Sequence, residues 1–152
     1  MDEVLEGDDV AFDDSAIEYN FDNKNVGEDK TVTATGYDES MLSGDDLQNY
    51  DVTFVDTTTA NITKLAINIG FTADNKVYDG NTIATRDQLV MDEVLEGDDV
   101  QFDDSTLEYN FDTKDVGTDK TVTATGYSED LLSGADLQNY DVTFVDTTTA
   151  NI

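Results

Sequence analysis

The sequence predicts a mostly-β protein in which one small domain is repeated in tandem. Apolar and polar residues alternate along several short segments, and this period of two places the apolar set on one face of a strand. Glycine-containing turn signals such as Asp79-Gly80 and Ser133-Gly134 separate these segments. The sequence also repeats with a period of 90 residues, beginning at Met1 and again at Met91. We find no pattern typical of a helix of ordinary length.

The predicted strands follow one another along the second half of the chain. The clearest alternation runs over Leu65–Phe71, and Leu107–Phe111 alternates in the same way. Thr121–Thr125 and Tyr140–Val145 are runs of β-branched and aromatic residues, which favour a pleated, half-buried surface. Between these two runs, Ala135–Tyr140 predicts a single helical turn. All but the first of these segments recur 90 residues earlier in the chain.

The repeat defines the domain organisation. Residues 1–62 align without a gap to residues 91–152, and 52 of the 62 aligned positions are identical. Residues 63–90 occur only once. We therefore interpret 1–62 as an N-terminally truncated copy of the repeat and 63–152 as a complete domain, cut from a longer array. The alternative is a two-copy protein with a short first unit.

The first copy lacks a counterpart of the predicted strand Leu65–Phe71. An incomplete sheet exposes unpaired backbone donors and acceptors along an edge, and an added strand can cover them. We therefore expect one of two outcomes for residues 1–62. Either a strand from another chain completes this copy by intermolecular exchange, or the copy stays partly open.

Five motifs of the chain resemble the YDG-type repeats of the "mostly β-grasp" (MBG) domains. The motifs are KVYDGNTIAT (Lys76–Thr85), GDDV (Gly97–Val100), KDVGTDKTVTATG (Lys114–Gly126), LSGADLQNY (Leu132–Tyr140) and TTTANI (Thr147–Ile152). Such domains occur in large bacterial surface adhesins. The resemblance implies a small β-grasp-like domain, secretion to the bacterial cell surface and a role as one link of a multi-domain stalk. It carries over no catalytic residues.

Two positions depart from the pattern of that family. Asp119, with Asp29 in the first copy, stands where the family usually has glycine. Lys64 stands where a proline commonly follows the junction between repeats. The second departure bears on how stiffly consecutive domains join.

The composition excludes several functional classes. The chain has 36 acidic and 7 basic residues, a net charge of −29. Nucleic acids and anionic membranes bind through Lys and Arg, so we expect neither as a partner. No apolar run approaches the roughly 18 residues that would span a bilayer. Histidine and cysteine are absent, which leaves the common nucleophile–base pairs without a base. We predict that the protein is not an enzyme.

Calcium is the one cofactor that the sequence admits. Asp98, Asp99, Asp103 and Asp104 form acidic clusters near predicted turns, and Ca²⁺ prefers such oxygen ligands in flexible loops. No EF-hand loop is present. We therefore assign no metal site and no cofactor, and we expect a solvated acidic face that cations screen diffusely, with a specific calcium site as the alternative.

These observations favour a non-catalytic structural repeat in an extended extracellular stalk or fibre of a bacterial adhesin. Adjacent repeats of the same protein would be its partners, because arrays lengthen by duplication and each added unit extends a spacer. The alternative is a repeat that itself binds a glycan, a host protein or neighbouring copies in a filament. Exposed aromatic residues would favour this alternative, but we predict that the alternating Tyr109, Phe111, Tyr140 and Phe144 are buried.

Overall fold

The computed structural model describes residues 4–152 of the chain. The chain forms two compact units, Met1–Ile62 (unit 1) and Thr63–Ile152 (unit 2). Within the described residues both units consist of short strands and 3-10 turns of three residues. The predicted mostly-β fold is confirmed.

Residues 4–62 of unit 1 form five strands. They are β1 (Ala11–Phe12), β2 (Glu18–Phe21), β3 (Gly27–Thr35), β4 (Leu42–Ser43) and β5 (Thr57–Ile62). An antiparallel sheet in the order β2-β3-β5 forms the body of the unit, and β1 pairs with β4 beside it. Two 3-10 turns, Glu39–Met41 and Leu47–Asn49, flank β4.

Unit 2 contains eight strands. They are β6 (Leu65–Ala73), β7 (Arg86–Met91), β8 (Gln101–Phe102), β9 (Glu108–Phe111), β10 (Lys120–Thr125), β11 (Leu132–Ser133), β12 (Tyr140–Phe144) and β13 (Thr147–Ala150). Strands β8 to β11 and β13 repeat the pairings of unit 1, with a sheet in the order β13-β10-β9 and the pair β11-β8. A further sheet has the order β12-β6-β7. The predicted helical turn is the 3-10 turn Leu137–Asn139.

Strand β6 lies in the middle of that further sheet. It pairs in parallel with β12, from Tyr140 opposite Leu65 to Phe144 opposite Ile69, and antiparallel with β7. Its alternating side chains enter the core, and Ile67 and Ile69 are almost completely buried. The strand predicted over Leu65–Phe71 is therefore confirmed, and it is the central strand of a mixed sheet.

The core of unit 2 has two clusters of buried residues. The first consists of Phe71, Ala84, Phe111, Val122, Ala124 and Ala150. The second consists of Ile67, Val100 and Tyr140. Because β6 supplies Phe71 to one cluster and Ile67 to the other, this strand links the two halves of the core. Phe111 and Tyr140 are buried as predicted, whereas Tyr109 and Phe144 are only half-buried.

The two units differ where their sequences are the same. Residues 50–54 have the sequence of β12, but residues 51–56 form no strand in unit 1. A strand needs a neighbour to pair its backbone groups, and in unit 2 that neighbour is β6. Because residues 63–90 have no copy among residues 4–62, the segment at 50–54 lacks this neighbour.

Candidate interaction surfaces

The loop after β6 is held together by Lys76. The ammonium group of Lys76 donates to the Asp79 carboxylate at 2.8 Å and to the carbonyl oxygens of Asn81 and Ile83, both at 2.9 Å. It also lies 5.6 Å from the ring centroid of Phe111, a cation–π distance. The hydrogen bond from Lys76 holds the pKa of Asp79 below its usual value. The positive charge of Lys76 therefore binds acceptor groups of its own unit.

The outer side of this loop is apolar and exposed. Val77 is 88% exposed and Tyr78 about half. Gly80 adopts a φ of 83°, a left-handed conformation that ends the turn and that glycine adopts without strain. The Tyr78-Asp79-Gly80 segment thus forms a tight turn, with Val77 and Tyr78 on its free surface.

Asp98 and Asp99, two of the calcium candidates, connect the segment before β8 to the region around the turn Leu137–Asn139. The Asp98 carboxylate accepts a hydrogen bond from the hydroxyl of Tyr140 at 2.8 Å. Asp99 accepts from the backbone of Ala135 at 3.2 Å, and its own amide donates to the Asp136 carboxylate at 3.0 Å. Both carboxylates therefore hold protein donors in unit 2.

The other two calcium candidates flank the turn between β8 and β9. Asp103 accepts from the backbone amide of Ser105 at 3.0 Å, and hydrogen bonds from Ser105 lower the pKa of Asp103. Asp104 forms an ion pair with Arg86 of β7 at 2.8 Å. Within residues 4–152, no three acidic side chains converge on a point where they could hold a metal ion. Each of the four carboxylates therefore contacts a different protein group, and the structure does not bring the four together at one point.

Arg86 and Asp104 lie beside two tyrosines of unit 2. Burial raises the pKa of Tyr127 to about 12, and the neighbouring Tyr109, Asp146 and Asp104 act in the same direction while Arg86 opposes them. Burial also raises the pKa of Tyr109. These hydroxyls stay neutral because the surroundings disfavour a further negative charge.

An open groove of about 790 Å³ runs along the turn Leu137–Asn139 and β12. Tyr127, Leu137 and Phe144 give it apolar walls, while Lys64 and Glu129 add charge. Its volume is in the range of small-molecule sites. This groove is one surface of unit 2 that could hold a ligand.

The apolar interior of unit 1 is exposed where that of unit 2 is covered. Phe21 is 40% exposed, while its counterpart Phe111 is 3% exposed. Tyr19 is also exposed, whereas its counterpart Tyr109 is half-buried. Unit 1 also has a small cavity of about 280 Å³. Its lining consists of Phe12, Tyr37, Leu42, Val52, Thr53, Phe54 and Val55.

The alternation that predicts buried aromatic residues in the second copy does not predict their burial in the first. Tyr19 and Phe21 occupy the same alternating positions as Tyr109 and Phe111, but in unit 1 no copy of residues 63–90 lies over them. The sequence does indicate this exposure, because residues 1–62 contain no copy of Leu65–Phe71, the most apolar strand of the repeat. Position along a strand predicts which face a side chain is on, but burial also needs a covering layer.

No helix among residues 4–152 is long and apolar enough to cross a membrane. The chain was also compared with known proteins. The family model of the YDG domain matches it twice, over residues 1–60 and over residues 62–150. Neither the curated proteins nor the solved structures contain a significant match.

Proposed function

Since the chain belongs to the YDG domain family, we propose that it is a non-catalytic structural repeat from an extended extracellular stalk or fibre of a bacterial adhesin. The observation that carries this proposal is the repetition itself. The family model matches two consecutive segments, and 52 of 62 aligned residues are identical between them. Near-identical consecutive units are typical of repeat arrays in which each added unit serves to make the array longer.

The distribution of charge supports the same role. Four of the basic residues form ion pairs with acidic residues of their own unit: Lys30, Lys76, Arg86 and Lys120. These four cations are therefore engaged by acidic groups of the protein itself, and the net charge of −29 makes neighbouring chains repel each other. Such a surface favours separate, extended threads on the outside of a cell.

A β-grasp-like arrangement of the complete unit is part of the proposal. Its support is the mixed sheet in which β6 lies between the parallel strand β12 and the antiparallel strand β7. A parallel pair joins strands that are distant in sequence, so the first and the penultimate strands of unit 2 close the domain together.

Small-angle scattering on lengthened chains tests the stalk. We would insert one, two and four further copies of residues 63–152 after Ile152 and measure the maximum dimension of each chain. A stalk predicts that this dimension rises by the same amount with each copy. A compact assembly predicts a much weaker rise, with the radius of gyration following roughly the 0.4 power of chain length.

The groove along β12 supports a second candidate function, in which the repeat binds a ligand such as a glycan. The half-buried Tyr127, the exposed Lys64 and a volume of about 790 Å³ suit a small polar ligand. Titration with a glycan library, followed by NMR, tests it. Shift changes that cluster at Tyr127 and Lys64 are expected if the groove binds, and a uniformly unperturbed spectrum would rule it out.

A further inference from the structure

The first and last segments of unit 2 run side by side in the same direction. The first segment (residues 65–76) contains β6, and the last segment (residues 140–152) contains β12 and β13. Their parallel pairing begins with Leu65 opposite Tyr140, at the start of both segments. From there the contacts between the two segments continue toward the far end of both.

Backbone hydrogen bonds join the two segments at their middle and at their far end. In the middle, the amide of Val145 donates to the carbonyl of Ile69 at 2.8 Å. At the far end, the amide of Lys76 donates to the carbonyl of Asn151 at 3.0 Å. The amide of Asn151 in turn donates to the side-chain oxygen of Asn75 at 2.7 Å. The order of these contacts is the same along both segments, as the parallel direction requires.

The far end of the last segment is also held by other parts of unit 2. Ile152 and Gly117 exchange two backbone hydrogen bonds, each of 3.0 Å. Strand β13 pairs antiparallel with β10, and Ala150 lies in the same buried cluster as Phe71 of β6. The last segment is therefore fixed along its length by backbone pairing and by core packing.

Tension along the chain acts on opposite ends of this parallel pair. Unit 1 is joined to unit 2 through Thr63 and Lys64, directly before β6. Ile62 is the counterpart of Ile152, and one repeat passes into the next directly after it. A pull on the two ends of unit 2 therefore draws β6 backward and the last segment forward, along the direction of the strands.

This direction of loading determines how the hydrogen bonds break. A single backbone hydrogen bond contributes little net stability in water. When two parallel strands are drawn past each other, all the bonds between them carry the load at once and must break together. When the same strands are separated from one end, the bonds break one after another. Because forced unfolding is governed by the unfolding barrier, the first arrangement withstands more force.

We propose that unit 2 is a mechanical clamp, which resists tension along the chain through shear between β6 and the last segment. The YDG motif takes part in this clamp. Asn75 and Lys76, directly before the motif, hold Asn151, and the ammonium group of Lys76 fixes the loop that follows. The clamp is a property of a single unit, whereas its use in carrying load rests on the proposed stalk.

Single-molecule force spectroscopy on the full chain tests the clamp. The chain has no cysteine, so introduced cysteines provide unique attachment points for handles. In the shear geometry, the handles are attached at Thr63→Cys and at a cysteine added after Ile152. In the unzipping geometry, the second handle is moved to Gln138→Cys, just before β12. Thr63 and Gln138 are both exposed, and unit 1 lies outside the loaded path in both geometries.

The two geometries load the same strands in different directions. At the same loading rate, we expect unit 2 to unfold at a force at least about twofold higher in shear than in unzipping, because only shear loads the bonds together. The length released identifies each event. Complete unfolding in the shear geometry should release about 300 Å, since an extended residue spans roughly 3.3–3.6 Å.

Asn75→Ala weakens the far end of the clamp without a change in the core. It removes the acceptor of the Asn151 amide, and the side chain of Asn75 is exposed. In shear at constant force, we expect unfolding to become about fivefold faster, which corresponds to the loss of one hydrogen bond. In unzipping the rate should not change, because Asn75 lies at the end that opens last.

Gln88→Ala is the matched control for this variant. It removes an exposed carboxamide from β7, which lies on the other side of β6 from β12. We expect its unfolding rates to equal those of the unsubstituted chain in both geometries. A variant that merely lowered the stability of unit 2 would unfold faster in both geometries, so the comparison separates resistance to shear from general stability.

Equal unfolding forces in the two geometries would overturn the proposal, and so would a higher force in unzipping. It would also be overturned if Asn75→Ala accelerated unfolding equally in both geometries, because Asn75 would then stabilise the fold without resisting shear. A unit that failed these tests could still belong to an array that lengthens evenly with each copy. The scattering of lengthened chains therefore tests the stalk separately.

Discussion

At the scale of single residues, the backbone explains an unusual substitution. Asp29 and Asp119 both adopt a φ of 50°, the left-handed conformation, in the stretch where resembling sequences usually have glycine. Asp tolerates this conformation better than most residues because its short side chain forms local hydrogen bonds. The amide of Asp119 donates to the Asn151 side chain at 2.9 Å, and Asp29 makes the same contact with Asn61. The fold therefore keeps the turn without the glycine.

Gly134 should be the least replaceable glycine of unit 2. It has a φ of 126°, and an added Cβ would lie 2.1 Å from the carbonyl oxygen of Asp99. Gly97 has a φ of 90° but open space around it. We expect Gly134→Ala to cost at least about 2 kcal/mol and Gly97→Ala about 1 kcal/mol, because only the first adds a backbone clash to the conformational penalty. Denaturant unfolding of unit 2 measures the loss of stability in both variants. Equal losses would contradict the close approach of Gly134 to the carbonyl oxygen of Asp99.

Tyr127 should make unit 2 sensitive to alkali. Its pKa is about 12 in the folded protein, above the ordinary value of about 10. The folded state therefore holds this proton more tightly than the unfolded state. The resulting stabilisation is complete below pH about 10 and is lost as the pH rises through about 12. Tyr127→Phe should weaken the alkaline destabilisation, as measured by denaturant unfolding across this range. An unchanged pH dependence would mean that the raised pKa of Tyr127 is not the cause of the alkaline destabilisation.

At the scale of elements, identical sequences adopt different structures according to their neighbours. The strand propensity of the residues at 140–144 is the same at 50–54, but only the first segment has β6 to pair with. Measured β-propensity reflects packing against neighbouring strands more than a preference of the backbone alone. A segment can thus be a strand in one unit and extended coil in the other.

The matched valines of this segment give a direct comparison. Val142 is half-buried beside Ile67 and Tyr140, while Val52 is exposed. We expect Val142→Asp to destabilise unit 2 by about 2 kcal/mol or more, because it places a charge against the core. Val52→Asp should change the stability of unit 1 by no more than about 0.5 kcal/mol. Similar losses in the two variants would mean that residues 50–55 are covered in solution.

Much of the fold could be predicted from the sequence. The alternation over Leu65–Phe71 predicted β6, and the β-branched run Thr121–Thr125 predicted β10, each close to its observed bounds. The parallel pairing of β6 with β12 could not be predicted, because the alternation of one strand does not identify its neighbour. The roles of Lys76 and Asp104 depend on contacts between loops and strands, which spacing along the chain does not show.

At the scale of the whole molecule, charge is the dominant property. With a net charge of −29, like-charge repulsion opposes compaction, and dissolved cations should reduce it. The abundance of carboxylates predicts that cations screen the surface diffusely. We expect Ca²⁺ and Mg²⁺ to raise the melting temperature equally at fixed ionic strength. A larger shift with Ca²⁺, saturating at low concentration, would indicate a specific site.

The central claim is that residues 63–90 complete unit 2, while the corresponding face of residues 4–62 is uncovered in this chain. In unit 2 the amide of Phe111 donates to the carbonyl of Thr82 at 2.7 Å, and Ile83 bridges to Asn110. Residues 82 and 83 have no counterpart in unit 1, where Phe21 occupies the position of Phe111.

Residue-resolved hydrogen exchange by NMR on the chain alone is the most direct test of this claim. The amides of Phe21 and Val32 should exchange at least about tenfold faster than those of Phe111 and Val122, their counterparts in unit 2. Equal protection of the two pairs in a chain shown to be monomeric would contradict it.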